Sequence, residues 1–359
     1  MQALADSPPP ELCVIRLSAI GDTCHTVPVV RTIQRAWPHT RVTWIVGKAE
    51  HGLLRGMEGV EFLVLDKASG LPGYLHLRRR LGGRRFPLLL NMHPSARATI
   101  ASLMVSAPLR LGFDRARSRD LHWHVCNRHI PARTHQHVMD SLFGFADALG
   151  LERGELRWDI PIPAEDRELA SQVCAGDRPI VVISPCAAAR FRNYRNWRME
   201  CYAEIADYAD ARYGARVLLT GGSTEEEQRY GQGIMSLCKS KPANLIGRTN
   251  LKQLLALLER ATVVVCPDSG PAHMATAVRA PVVGLYATTN PSRAGPYLSR
   301  ELVVDKYPDA VRLAFGKSVD EIRWGSRVRD PETMNLIKVS DVTEKLDLAF
   351  AGRGIAAAG

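Results

Sequence analysis

Short apolar runs alternate with amphipathic stretches along most of the chain, a pattern typical of parallel α/β folds. Residues 12–16 and 41–46 are apolar and predict two buried strands. Between them, a small-residue loop at 18–22 leads into a helical pattern that ends near Ala36. A strand, loop, helix, strand order implies parallel pairing through a right-handed crossover.

The same alternation continues on both sides of a polar, proline-containing stretch at 152–166, which we interpret as a linker between domains. Before it, the pattern predicts strands at 61–65, 87–91 and 110–113 and a helix at 140–149. After it, the pattern predicts strands at 180–184, 216–220, 243–246, 262–266 and 281–286, and helices at 200–213, 251–259 and 270–278. We therefore expect an α/β fold of two facing Rossmann-like domains, residues 1–165 and 166–359, with an interdomain cleft.

Composition narrows the class of protein. A length of 359 residues suits two such domains, and 46% hydrophobic with 23% charged residues indicates a folded protein. The net charge of +10 predicts an acidic partner, either nucleic acid, anionic lipid or a phosphorylated substrate. The eight cysteines are scattered without a Cys-x-x-Cys pair, which favours a reducing compartment without disulfides or structural zinc.

The start of the chain has no basic region followed by an apolar core, and no stretch approaches the roughly 18 apolar residues of a membrane span. We expect a cytoplasmic protein, with peripheral contact to the inner face of the membrane left open.

Ligands of open parallel sheets bind beyond the carboxyl ends of the strands, so the loops there are the candidate sites. The first is the loop at 16–23, in which Ser18 and Gly21 let the backbone approach a ligand. Asp22 lies at the predicted helix start. It is interpreted either as an N-cap or as a functional carboxylate.

The second candidate is the loop at 184–197. It begins with Ser184 and small residues and continues through Arg190, Arg192 and Arg195. Backbone N–H groups and guanidinium groups in such a loop bind a diphosphate. The alternative is a solvated basic loop.

The third candidate follows the apolar run that ends at Cys266. Asp268, Ser269 and Gly270 open a predicted helix, whose N–H groups suit phosphate or sugar oxygens, and Asp268 can bind sugar hydroxyls. The alternative is a capped helix in which His273 only packs.

Several motifs are missing from the sequence. There is no Asp-x-Asp, which argues against a metal-clamped sugar transferase, and no phosphate-binding Gly-x-x-x-x-Gly-Lys-Ser/Thr or dinucleotide-binding Gly-x-Gly-x-x-Gly. The histidine pairs at 122/124 and 135/137 lack matching ligands, so no metal site is predicted.

Two basic clusters lie in the first predicted domain. Arg78, Arg79 and Arg80 follow a helix-like stretch, and Arg115 opens a second cluster with arginines at 117 and 119. They are either solvated faces or docks for an anionic acceptor or lipid headgroups.

Together, these segments resemble the ADP-heptose:lipopolysaccharide heptosyltransferases, glycosyltransferase family 9. The resemblance spans residues 12 to 300. Its motifs are the opening at 15–28, Arg195-Asn196-Trp197, the Thr-Gly-Gly at 220–222, and the stretches at 268–273 and 281–286. The sequence departs from the family pattern at Arg195, where a lysine is usual, at Asn91-Met92-His93, and in the unmatched stretch 305–331.

The resemblance implies a GT-B fold with the acceptor on the first domain and the nucleotide sugar on the second. It implies inverting transfer without a metal cofactor, from ADP-heptose to the lipopolysaccharide inner core, a Kdo–lipid A type of anionic glycolipid. It implies that Asp22 is the general base. The residues assigned to the donor are Ser184, Arg195, Glu225, Thr249, Asp268, Ser269, Gly270 and His273. The residues assigned to the acceptor are Ser18, Gly21, Arg78, Arg79, Arg80 and Arg115.

Four other functions stay open from the sequence. One is a family 9 transferase with another donor or acceptor. The second is a nucleotide-sugar epimerase, and the third is an inactive regulator that binds a sugar nucleotide. The fourth, a nucleic-acid binder, is disfavoured because the arginine clusters lack interleaved aromatic residues.

Overall fold

The computed structural model describes residues 7–189 and 192–357, and the chain divides into two compact units, Met1–Pro161 and Ile162–Gly359. In the described part of the chain, no helix is both long enough and apolar enough to cross a membrane.

The first unit is built on a parallel six-stranded sheet in the order β3-β2-β1-β4-β5-β6. Its strands are β1 (Glu11–Ile15), β2 (Arg41–Gly47), β3 (Val60–Leu65), β4 (Leu88–Asn91), β5 (Leu109–Gly112) and β6 (Arg128–His129). Leu12 of β1 lies opposite Val42 on one side and Leu88 on the other. β1 is buried along its whole length because both faces of the sheet are covered by helices.

The described residues of the first unit form five α-helices: α1 (Ile20–Ala36), α2 (Lys48–Leu54), α3 (Gly70–Leu81), α4 (Ala96–Leu103) and α5 (Val138–Ala148). The first four connect successive strands from β1 to β5, and α5 follows β6. The helix predicted at 140–149 begins two residues earlier, because His137 acts as its N-cap and its ring nitrogen Nδ1 accepts from the N–H of Met139 at 3.1 Å.

The first half of the predicted linker belongs to the first unit. Trp158 is buried, and its Nε1 donates to the carbonyl of Cys24 at 2.9 Å. Arg31 of α1 donates to the carbonyls of Trp158 and Asp159. These bonds attach the segment to α1, so the unit ends at Pro161 and not at residue 165.

The second unit repeats the plan with the parallel order β12-β11-β10-β7-β8-β9. Its strands are β7 (Ile180–Ile183), β8 (Arg216–Leu219), β9 (Ala243–Asn244), β10 (Val263–Pro267), β11 (Val282–Tyr286) and β12 (Val304–Asp305). Its helices are α6 (Ala164–Val173), α7 (Met199–Tyr213), α8 (Glu225–Leu237), α9 (Leu251–Glu259), α10 (Gly270–Ala277), α11 (Pro291–Ala294), α12 (Tyr307–Phe315) and α13 (Val339–Ala351).

In both sheets the strand order reverses beside the first strand of the unit, β1 or β7, which is the arrangement of a doubly wound Rossmann-like fold. The prediction of two Rossmann-like α/β units is therefore confirmed. Asn250, predicted to cap a helix, accepts from the N–H groups of Lys252 and Gln253 at the start of α9.

Candidate functional site

The site candidates of the first unit lie where its parallel strands end. Asp22 is not the N-cap of α1, as one interpretation held. Ala19 has the extended backbone of an N-cap, and Asp22 is the third helical residue. Its Oδ2 accepts from the Ala19 N–H at 3.3 Å, so the carboxylate caps the helix from within.

The same carboxylate oxygen pairs with a buried guanidinium. Arg16 Nη2 lies 2.6 Å from Asp22 Oδ2, and Arg16 Nη1 donates to the carbonyl of Met92 at 2.6 Å. The Arg16 side chain is 8% exposed and that of Asp22 is 36% exposed. Asp22 is thus fixed by a buried cation and remains open to a ligand.

His93 completes this group and was not predicted to have a role. Its Nδ1 accepts from the backbone N–H of Leu17 at 3.2 Å, which places the proton of the neutral ring on Nε2. Burial, followed by the neighbouring Arg16 cation, lowers the pKa of His93 to about 3. The ring therefore stays neutral near pH 7.

An ion pair between a half-buried lysine and a buried glutamate lies at the same edge of the sheet. Lys67 Nζ is 3.1 Å from Oε2 of Glu50, which is buried at the start of α2. A Cβ on Gly47 would come within 2.4 Å of the Leu17 carbonyl and 2.3 Å of that carboxylate. Only glycine fits at position 47, between the pair and the Asp22 loop.

The predicted acceptor residues divide into two groups. Ser18 is partly exposed beside Asp22, Gly21 is buried in the first turn of α1, and Arg115 is exposed in the turn after β5, at the same edge. Arg78, Arg79 and Arg80 are exposed in the last turn of α3. α3 runs from β3 back to the start of β4, so these three arginines lie at the opposite edge of the sheet, and the structure does not bring them to Asp22.

In the second unit, the fold brings Arg195 and Asp268 together. Arg195 Nη1 donates to the Asp268 carbonyl at 2.8 Å and lies 3.3 Å from Oδ2 of its carboxylate. Arg195 Nε donates to Oδ1 of Asn193 at 2.7 Å. Both charged residues are 9% exposed. The pair forms because β10, which ends just before Asp268, lies beside β7, which leads into the segment that contains Arg195.

The start of α10 adjoins this pair. Ser269 is its N-cap and Gly270 its first residue, and the Ser269 side chain makes no capping hydrogen bond within the described residues. His273 is buried in the first turn. These N–H groups with the Arg195 cation form a positive site at the carboxyl edge of the second sheet.

Three other predicted donor residues end up in different settings. The Ser184 hydroxyl lies 2.6 Å from that of Thr220 and is buried between the ends of β7 and β8. Glu225 is exposed in the first turn of α8, and Thr249 is half-buried before α9. Arg190 lies outside the described residues. Ser184, Glu225 and Thr249 all lie at the carboxyl edge of the sheet, but the Ser184 hydroxyl faces the end of the neighbouring strand β8.

Asn196 links described parts of the segment between β7 and α7 to each other and to α8. Asn196 Oδ1 accepts from the N–H of Ala187 at 2.8 Å, and its Nδ2 donates to Glu226. Burial, with Glu226 and Glu227 nearby, raises the pKa of the Cys186 thiol well above its ordinary value. The thiol stays neutral and does not oppose an anionic ligand. Among the described residues, no group of three His, Cys, Asp or Glu side chains is arranged to hold a metal ion.

Comparison with known proteins identifies the family of this chain. The sequence model of glycosyltransferase family 9 (heptosyltransferase) matches residues 74–314. The lipopolysaccharide core heptosyltransferase OpsX of Haemophilus influenzae is 38% identical over 93% of this chain and 95% of its own length. The chain therefore belongs to glycosyltransferase family 9 and is a glycosyltransferase of the heptosyltransferase type.

Solved structures agree in fold. A family 9 glycosyl transferase from Veillonella parvula superimposes with a TM-score of 0.79 at 20% identity, covering 96% of this chain and 98% of that one. The E. coli heptosyltransferase WaaC with ADP gives a TM-score of 0.71 at 17% identity, covering 94% and 99%. The predicted GT-B class of fold is confirmed.

Proposed function

We propose that this enzyme is an inverting, metal-independent heptosyltransferase that transfers heptose from ADP-heptose to the lipopolysaccharide inner core, a Kdo–lipid A type acceptor, at the cytoplasmic face of the membrane. The observation that carries the proposal is the Arg195–Asp268 pair at the start of α10. The OpsX relative acts in the lipopolysaccharide core, and one structural relative is a heptosyltransferase with ADP, which supports this donor and acceptor.

The second unit binds the donor in this proposal. The Arg195 guanidinium and the N–H groups at Ser269 and Gly270 contact the diphosphate, and the Asp268 carboxylate accepts from sugar hydroxyls. Glu225 in the first turn of α8 and Thr249 in the loop before α9 contact the nucleoside. Fixed cations and N–H groups take the role that Mg²⁺ has in metal-clamped transferases.

Asp22 of the first unit activates the acceptor. Its carboxylate takes the proton of the acceptor hydroxyl while that oxygen forms a bond to the anomeric carbon. The bond from that carbon to the diphosphate oxygen breaks, ADP leaves with the electron pair, and the configuration inverts. A positioned base contributes about 10²–10⁴-fold to such a step.

Asp22→Asn tests this role. We expect donor binding to persist and the single-turnover rate to fall about 10²–10⁴-fold. The amide still accepts from the Ala19 N–H but no longer neutralises Arg16, so unfolding should become easier by about 1–3 kcal/mol. Rate and melting temperature are measured on the same preparations, with ADP-heptose and a Kdo–lipid A acceptor.

Arg16→Gln is the matched control, because it breaks the same ion pair and leaves the carboxylate. We expect it to lose comparable stability and far less rate. A near-wild-type rate in Asp22→Asn, or equal rate losses in both variants, would remove Asp22 as the base. Donor binding without turnover in the wild type would favour a regulator.

We also propose that helix α3 contacts the membrane. Leu71 is 69% exposed and Leu75 is 47% exposed, on the face opposite the buried Gly73, Leu77 and Leu81. Arg78 and Arg79 continue that outer face. Exposed leucines followed by arginines are typical of a helix lying at an anionic lipid surface. This gives the basic run a role separate from the sugar site.

A further inference from the structure

The stretch 305–331, which matches no predicted pattern, has a small hydrophobic core of its own. Tyr307, Ala310 and Val311 of α12 pack with Val328 in this core, and all four are buried. The hydroxyl of Tyr307 donates to the carbonyl of Ser326 at 3.0 Å. The core therefore fixes the backbone at 326–328 in one place.

That place is the loop after β11, at the carboxyl edge of the second sheet. The Val328 N–H donates to the Thr288 carbonyl at 3.0 Å, and Thr289 and Arg327 form an antiparallel bridge. Residues 326–328 thus pair with the loop after β11, beside the site that contains Asp268.

Two adjoining recesses open between the segment and the loop. The first is lined by Asp268, Thr289, Asn290, Arg293 and Arg327, among others. The second is lined by Arg195 and again by Thr289 and Arg327. Thr289 and Arg327 thus line both recesses. The recesses therefore extend from the Arg195–Asp268 pair to the stretch 305–331.

Two buried polar groups line the first recess. Asn290 is 5% exposed, and its Oδ1 accepts from the Ser292 N–H at 2.9 Å at the start of α11. That bond orients the amide. Asn290 Nδ2 and the Thr289 hydroxyl, on a residue 6% exposed, have no hydrogen-bond partner within the described part of the chain. Buried polar groups are almost always bonded, so both groups need a partner from outside the chain, either water or a ligand oxygen.

The chemistry of the lining defines that ligand. An amide donor, a hydroxyl and the Asp268 carboxylate together suit sugar hydroxyls, which both donate and accept. Arg195, Arg293 and Arg327 around them suit a phosphoryl group. A sugar that carries a phosphate meets both conditions.

We propose that residues 325–329 complete the donor site and, through Arg327 with Thr289 and Asn290, select the sugar of the nucleotide sugar. This rests on the proposed function, because it takes the donor to be a nucleotide diphosphate sugar. Asn290 Nδ2 donates to a sugar oxygen, the Thr289 hydroxyl bonds to a sugar hydroxyl, and Arg327 contacts the phosphate attached to the sugar.

Calorimetric titration of the full chain with ADP and with ADP-heptose tests the selection. Asn290→Asp keeps the oxygen that caps α11 and replaces the N–H donor with a charged acceptor. It should weaken ADP-heptose binding about tenfold or more and change ADP binding less than about threefold. Thr289→Val, with the same shape and no hydroxyl, should act in the same direction. Thr343→Val, an exchange in α13 away from the recess, should change neither affinity.

A pair of arginines tests the segment. Arg327 and Arg323 are both exposed and four residues apart, but only Arg327 is among the residues that line the recesses described above. Arg327→Ala should weaken ADP-heptose binding at least about threefold, and Arg323→Ala should leave it unchanged.

Wild-type affinity for ADP-heptose in Asn290→Asp and Thr289→Val would overturn this proposal. So would equal losses for ADP and ADP-heptose, since the residues would then not distinguish the sugar. Failure of the proposed function has a different signature, because the wild-type enzyme would then bind neither ADP nor ADP-heptose.

Discussion

Arg16 connects the parts of the first-unit site. It contacts Met92, 76 positions away, and holds Asp22. In the sequence it is only the polar end of an apolar run, so its role depends on β1 lying next to β4. The Arg195–Asp268 pair depends in the same way on β7 lying next to β10, across 73 positions. Spacing along a chain does not predict such pairs.

His93 gives a residue-scale prediction about pH. Its pKa is about 3 in the folded enzyme, against an ordinary value of 6.5. Between these values the unfolded chain binds more protons, so this residue lowers the free energy of unfolding as the pH falls below 6.5. The loss is about 1.4 kcal/mol per pH unit, or about 2 kcal/mol at pH 5.

His93→Asn keeps an acceptor for the Leu17 N–H and removes the titration. We expect the drop in the urea midpoint between pH 7.5 and pH 5 to be smaller in this variant than in the wild type. His76→Asn, at an exposed position of α3, controls for loss of a histidine and should follow the wild type. Equal drops in the urea midpoint for all three proteins would contradict the lowered pKa of His93.

At the scale of elements, the sequence predicts best where burial is continuous. β1, β10 and β11 are within two residues of their predicted bounds, because strands covered on both faces are unbroken apolar runs. Helix α8 was not predicted, since only Gly231 and Ile234 are buried on it and no apolar stripe results.

Other missed elements have different causes. β6 and β12 have two residues each, too few to show any period. Helix α13 does carry a signal, because Val342, Leu346, Ala349 and Phe350 are buried at helical spacing. The position of residues 325–329 follows from the contact of Arg327 with the loop after β11, which no local sequence pattern shows.

The exposed face of α3 gives the element-scale prediction. Changing Arg78, Arg79 and Arg80 together to Glu should lower binding to phosphatidylglycerol vesicles about a hundredfold or more, at roughly 1 kcal/mol per lost cation. Leu71→Ser with Leu75→Ser should weaken it further, because these side chains are exposed and would enter the lipid interface. ADP affinity should not change. Flotation of the full chain with the vesicles measures vesicle binding, and calorimetry measures ADP affinity.

The matched control reverses three exposed charges elsewhere, Lys239, Lys241 and Arg353, all in the second unit. It equals the α3 variant in net charge. If both triple variants lose vesicle binding equally, the net charge of +10 and not the α3 face is responsible. Retained binding in the α3 variant would contradict the contact outright.

At the scale of the whole molecule, the net positive charge suits an anionic donor, and the second Rossmann-like unit supplies the cations that would bind it. In the described residues no group of three His, Cys, Asp or Glu side chains suits a metal ion, and the cations that line the two recesses beside Asp268 are guanidinium groups. A guanidinium group is charged at every relevant pH and needs no added ion to bind phosphate.

ADP should therefore stabilise the full chain in EDTA as well as in Mg²⁺. At a concentration of about 100 times Kd, ADP adds about 2.7 kcal/mol to the unfolding free energy of the unit that binds it. For a unit of this size that is about 5–10 °C in melting temperature. UDP should give a smaller shift, because the base contacts differ. Arg195→Lys, which restores the residue usual in the family, should keep the ADP shift in EDTA. A shift that appears only when Mg²⁺ is present would show that a metal, and not Arg195 with the start of α10, holds the diphosphate.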